Sequence, residues 1–209
     1  NLSILGPGGF REDRIAFIAG YISAVLTKDW RIGLLNQASS ESIEKVQGSF
    51  ANGVTYYCGL CRLTYPPFHD YPILTVLPEE ATEIDWETAA QFLISQSVET
   101  AFVYSNQLNL STLDFLLEND FRLLGVQKPP DEYLNSWVTT IRNAPEQILE
   151  THWVDLISGK GGWVEEMPIV LDDINENLFS PGRQVWVQEV LHDLMNGYIV
   201  TGYAQEGDF

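Results

Sequence analysis

The sequence predicts an α/β fold built on a parallel sheet with flanking helices. Two observations carry this. Short apolar runs such as WRIGLL (30–35), PILTVL (72–77), AFVY (101–104) and FRLLGV (121–126) alternate with longer segments of helical periodicity. Alternation at this spacing is the pattern of right-handed βαβ units. The runs are also nearly unbroken in apolar residues, as strands covered on both faces require.

The elements follow in order. Leu2 to Leu5 is a short apolar run closed by Gly6-Pro7-Gly8-Gly9. From Phe10 to Thr27 the spacing predicts a helix with Ile15, Ile18, Ala19, Ile22 and Val25 on one face. Trp30 to Leu35 is a strand. Ser39 and Ser40 then offer caps for a long helix whose apolar face is Ile43, Val46, Phe50, Val54 and Tyr57. Pro72 to Leu77 is a strand, and Asp85 is placed to cap a helix over 85–95. A strand at 101–104, a helix at 110–119 with Ser111 and Thr112 near its start, and strands at 121–126 and 137–141 continue the alternation. Residues 145–158 read as helix, 168–171 as an extended apolar segment, and 184–196 as a final helix stopped by Gly197. The loops around Pro66-Pro67 and Pro129-Pro130 punctuate the chain, and neither reads as a flexible linker.

Length and charge narrow the function. A chain of 209 residues suits one large domain or two small lobes. A hydrophobic share of 45% is enough for a packed core, which excludes wholesale disorder. With 29 acidic against 11 basic residues the net charge is −18, which repels phosphate backbones and anionic membranes, so nucleic acid is not an expected partner. No apolar run approaches the roughly 18 residues of a membrane span. No signal peptide is present; the chain begins at Asn1 without a Met, which leaves room for a leader or more to have been removed.

In an open parallel sheet, ligands bind beyond the carboxyl ends of the strands. That rule nominates Asn36 and Gln37, then Ser105, Asn106 and Gln107, then Gln127 and Lys128, and finally Arg142 and Asn143 after the 137–141 strand. Amides and hydroxyls predominate, and they suit hydroxyl-rich or heterocyclic ligands because an amide both donates and accepts. The competing reading is that the Asn and Ser residues only form turns and caps. Trp137 or Tyr104 offers a stacking face, against a plain role in core packing.

Cys58 and Cys61 form a C-x-x-C at the wrong end of a helix for redox chemistry, which uses the helix start to lower a thiol pKa. Two cysteines also leave a tetrahedral zinc site incomplete. A structural disulfide is the favoured reading, with buried free thiols and redox or metal chemistry as alternatives. Other chemistry is not supported. Ser158-Gly159-Lys160-Gly161-Gly162 lacks phosphate-loop spacing, and the dinucleotide G-x-G-x-x-G is absent. The oxygen-rich stretch Asp172, Asp173, Asn175, Glu176, Asn177 lacks the central Gly of a calcium loop and reads as a solvated turn. His69, His152 and His192 are scattered, with no nucleophile motif beside them. No catalytic residue, metal or cofactor is expected.

The order of segments resembles the basic-membrane-protein family of bacterial solute-binding lipoproteins, within the type I periplasmic-binding-protein fold. The stretch from Ile15 to Leu35, with AFIAGYISAVLTKDWRIGLL, is similar to that family's A-F-L-A-G-Y-x-A-A helix and following K-x-G-x-x strand. GSFANGVTYY in the next helix is similar to its G-F-x-x-G-A-x-Y segment. Residues 101–104 stand where the family has D-V-I-F, 123–127 where it has I-G-V-D, and 138–142 where it has L-T-S-x-x-K. The closing VLHDLMNGYIVTG is similar to the terminal helix ending in I-x-x-G-x-I. The resemblance spans nearly the whole chain and rests on collinearity.

The resemblance implies a cleft between two lobes that closes on a small molecule, often a nucleoside, delivered to an ABC-type transporter permease. It places Gln127 where the family has a ribose-binding Asp, Arg142 where it has a Lys, and Thr139 where it has a Ser. Gln127 removes the charged acceptor for paired sugar hydroxyls, which puts a purine nucleoside in doubt. The resemblance also implies that most of the first lobe is missing. Segments 1–29 and 137–165 are then expected in that lobe, and 30–136 and 166–209 in the second lobe and closing segments. Association with another chain or with a missing N-terminal lobe follows, since a remnant would expose apolar sheet. An extracytoplasmic location, periplasmic or lipid-anchored, is implied in the same way. The alternative is a sensory or regulatory ligand-binding module of a longer signalling protein; an enzyme, which would need a nucleophile with a base or converging carboxylates, is the third reading.

Overall fold

The computed structural model describes residues 3–5 and 9–203. Asn1, Leu2, Gly6, Pro7, Gly8 and residues 204–209 lie outside the described residues. The elements are β1 (Ile4–Leu5), α1 (Glu12–Leu26), β2 (Ile32–Asn36), α2 (Ile43–Cys58), β3 (Ile73–Val76), α3 (Glu83–Ser95), β4 (Thr100–Tyr104) and α4 (Leu110–Glu118). They continue with β5 (Arg122–Gly125), a short 3-10 turn (Asp131–Tyr133), β6 (Trp137–Asn143), α5 (Pro145–Ile157), β7 (Val164–Glu165), β8 (Ile169–Asp172) and α6 (Pro181–Met195).

Six strands form one sheet in the order β3-β2-β4-β5-β6-β8. The first five are parallel, as the apolar runs predict. The sixth corrects the all-parallel expectation. The chain leaves β6 at Asn143 and re-enters at Ile169, which is paired with Asn143, so β8 must run antiparallel. Helices cover both faces. Residues of α1, α2 and α6 pack one face around Phe17, Ile22, Phe50 and Phe102, and residues of α3 and α4 pack the other around Leu93, Leu113, Leu116 and Trp137.

Local chemistry sets the element ends. The N-cap of α3 is Thr82, where Asp85 was expected. The Thr82 hydroxyl accepts from the Asp85 N–H and the Asp85 carboxylate accepts from the Thr82 N–H, a reciprocal capping box. Asn109 caps α4 by accepting from the Thr112 N–H, 2.9 Å. Helix α6 starts at Pro181, three residues before the apolar pattern begins, because proline has no N–H to lose at that position. Cys58 and Cys61 are paired as a disulfide across the turn that ends α2, with Cα atoms 4.9 Å apart.

Two glycines bring α1 and α2 into backbone contact. A Cβ on Gly20 would lie 2.1 Å from the Phe50 carbonyl oxygen, and one on Gly53 would lie 2.0 Å from that of Phe17. The contact is reciprocal: each glycine admits the backbone beside the other helix's phenylalanine. It helps to bury α1 on every side, from Asp13 to Leu26, where the sequence indicated one buried face. Charges enter that core only in pairs. The buried Asp13 accepts from Arg11 (2.9 Å) and from the Thr201 hydroxyl (2.8 Å), and Arg14 pairs with Glu166 and contacts the Met195 sulfur. Burial pushes the Asp13 carboxyl up, but the Arg11 and Thr201 bonds outweigh it and hold it below the ordinary value.

A second, thinner layer stands beside the sheet. β1 pairs in parallel with β7, two residues each. Helix α5 connects β6 to this pair and buries only Ile148. α1 packs in the core of the six-stranded sheet and β6 is one of its strands, because both carry apolar residues that the sheet covers. β1, α5 and β7 belong to the thin layer.

Candidate functional site

The strand order places the site. From β2 the chain winds outward to β3, then crosses to β4 on the other side of β2. This reversal opens a crevice beyond the carboxyl ends of β2 and β4, where α/β sheets bind ligands. A cleft of about 550 Å³ lies there, within the size range of small-molecule sites. Gln37 follows β2, Tyr104 ends β4, Asn106 and Gln127 follow β4 and β5, and Arg142 and Asn143 close β6. Phe10, Ile15, Val126 and Ile141 give the cleft an apolar side.

Six of the residues nominated from sequence therefore converge on one cleft: Gln37, Tyr104, Asn106, Gln127, Arg142 and Asn143. Gln107 is exposed and does not line it. Lys128 lies in an adjoining hollow of about 610 Å³ with Asp172 and Asp173, and approaches Asp131 at 3.4 Å. The other four are turned to structural tasks. Asn36 is fully buried; its carbonyl oxygen accepts from the Ala38 N–H and its amide donates to the Ile43 carbonyl. Ser105 is buried too, 2.5 Å from the Gln37 side-chain oxygen and accepting from the Gln107 N–H. Trp137 offers no stacking face. It is wholly enclosed against Gly125, where a Cβ would lie 2.5 Å from the indole, and its N–H donates to Thr140. Thr139 is also buried and donates to the Asp172 carbonyl. Both lie within β6, where the sheet is covered on both faces, and not beyond its carboxyl end.

The polar groups of the cleft are ordered by one another. Arg142 donates to Asp172 and to Glu146, each at 2.6 Å, and these two carboxylates hold its guanidinium even more firmly protonated than usual. The Glu146 carboxyl is lowered by its own backbone N–H and by Arg142. Gln127 donates to the Asn106 carbonyl, 2.5 Å, and Gln37 donates to the Glu79 carbonyl, 3.1 Å. The oxygen-rich stretch after β8 is a tied turn: Asp173 accepts from Thr140, and Asn175 donates to the Leu134 and Asn135 carbonyls.

Sequence reasoning missed Glu12. It opens α1, where an acid reads simply as a complement to the helix dipole. Folding turns it into the cleft, where its carboxylate accepts from the Tyr104 hydroxyl at 2.8 Å and from the Ser42 hydroxyl. Burial, with the Glu12 charge beside it, raises the Tyr104 hydroxyl far above the ordinary range, so it stays a donor. Nothing in local sequence brings positions 12, 42 and 104 together; only the packing of α1 and α2 against β4 does.

Solved structures share this fold. A solute-binding protein of an ABC transporter system from Conexibacter woesei DSM 14684 superposes with a TM-score of 0.65 at 11% identity, over 90% of this chain and 62% of its own. A solute-binding protein of an ABC transporter system from Aeropyrum pernix K1 gives 0.64 at 14% identity, over 95% of this chain and 67% of its own. A protein described as a LacI transcriptional regulator from Bacteroides fragilis gives 0.57 at 16% identity, over 84% and 62%. The fold is thus of the type I periplasmic-binding-protein kind, and this chain spans about two thirds of the length of these structures. No family model matches the sequence, and no curated protein matches it.

Proposed function

We propose that this chain is the larger part of a solute-binding protein that captures a small polar molecule at the β2/β4 crevice and passes it on unchanged. One observation carries the reading: six polar residues from four separate strand ends meet in a single cleft at the switch point of the sheet. Binding needs such convergent donors and acceptors beside apolar walls, and catalysis would need more. The fold shared with two ABC-transporter solute-binding proteins supports delivery to a transporter permease and an extracytoplasmic location. The collinear segments read from sequence favour the basic-membrane-protein group among such proteins. The cleft is one-sided here, and the thin β1–β7–α5 layer exposes Trp153, Val154 and Ile157. That layer is the natural seat for a further lobe, whether of a longer chain or of another one.

A second reading has its own support. The fold is shared as well with a LacI regulator, which fits a sensory module of a longer protein. Both readings require a bound solute. Mass spectrometry of small molecules released from purified, denatured protein tests them, with the expectation of one solute at near-equal molar amount. Absence of any released solute, together with no binding across a library of polar metabolites, would overturn both.

A further inference from the structure

We propose that the solute is a cation: a compact protonated amine whose ammonium group sits on Glu12 while its apolar part lies toward Phe10 and Ile141. The inference rests on the reading of the cleft as a solute site and adds the chemistry of the solute.

The charges of the cleft do not balance. Glu12 is held by two neutral hydroxyls, Tyr104 and Ser42, and no cation among the described residues pairs with it. Each carboxylate oxygen accepts one of these bonds and has a further lone pair to offer. Arg142, the cation lining the same cleft, is no counterweight. Its single positive charge faces two carboxylates, Asp172 and Glu146, so that group is net negative. An anionic solute would meet repulsion from both ends of the cleft. A cation would supply the charge that Glu12 lacks.

The apolar walls of the cleft point the same way. Phe10, 65% exposed at the mouth, and the apolar Ile15 and Ile141 leave the rest of the cleft suited to a carbon skeleton or ring. An aromatic face beside a cation adds attraction of its own.

The test uses the full chain and three probes of one shape: 2-phenylethylamine, 2-phenylethanol and 3-phenylpropionate, by calorimetry at pH 7. The amine is expected to bind about tenfold or more tighter than the other two, the scale of a charge-assisted hydrogen bond. Glu12→Gln is expected to erase that preference, and Tyr104→Phe, which keeps the carboxylate, to retain it. The alcohol or the acid binding as tightly as the amine, or a preference unchanged in Glu12→Gln, overturns the cation and leaves the binding site standing. If none of the probes binds, the solute released from the purified protein decides: a cation supports the proposal, a neutral or anionic solute overturns it alone, and no solute at all overturns the binding reading with it.

Discussion

Helices α1 and α5 are similar in length and both repeat apolar residues at helical spacing, yet α1 is buried on every side and α5 at one residue. On α1, Phe17, Ile18 and Ile22 are enclosed between the sheet, α2 and α6. On α5, Trp153 is 60% exposed and Ile157 68%. The contrast shows that an apolar stripe states a need for a partner and not its presence. Burying one such large side chain is worth about 1.5–3 kcal/mol, so the six-stranded body has collected that stabilisation and the thin layer has not. Contiguous exposed apolar surface of this kind marks a place of association.

The contrast can be broken at several points, beginning in the body. Asp13→Ala should cost about 1.5–3 kcal/mol in chemical denaturation, since it removes the buried carboxylate that accepts from both Arg11 and Thr201. The same group makes stability depend on acid. Its folded pKa lies below the ordinary 3.8, so its contribution is complete above that value and is lost as pH falls through the folded pKa. Melts between neutral pH and pH 3 should show a larger loss in the native chain than in the variant, which keeps the lowered carboxyls of Asp85 and Glu146. An equal acid response in both would remove Asp13 from the account.

Gly53→Ala should cost about 1–3 kcal/mol or more, because the new methyl meets the Phe17 carbonyl and the helices must separate. A variant as stable as the native chain would show that α1 and α2 are not in backbone contact. Reduction of the Cys58–Cys61 disulfide should cost no more than about 2 kcal/mol, as the loop it closes is short. Titration of the unreduced, denatured chain should find no free thiol; two would contradict the pairing. The smallest effect belongs to α5. Replacing both Trp153 and Ile157 by Ser should shift stability by about 0.5 kcal/mol or less, while lowering self-association by light scattering. A loss of several kcal/mol would mean that α5 is packed against the body in solution after all.

The site was half legible for a physical reason. Strand-end reasoning reached Gln37, Asn106, Gln127, Arg142 and Asn143 because a parallel sheet delivers all its carboxyl ends to one edge. The stacking reading added Tyr104, which lines the cleft, and Trp137, which is enclosed; the resemblance added Thr139, which is buried within β6. Asn36 and Ser105 stand at the right edge but are spent on the turns that leave the strands. Glu12 was invisible, since its neighbours Ser42 and Tyr104 come from elements remote in sequence.

The parallel sheet with its flanking helices was determined by the sequence itself. Apolar runs of this length call for strands, and the spacing between β2 and β5 leaves room for a helix after each strand, while β5 and β6 are joined through only a 3-10 turn. Tertiary structure decided what periodicity does not encode. It closed α1 in on all sides through Gly20 and Gly53, where the absence of a Cβ permits a contact that hydropathy cannot signal. It reversed β8, since a strand's direction depends on where the chain re-enters the sheet. It set an acid from the first turn of a helix in a cleft of amides, because charge at a site is a sum over residues that only folding brings together.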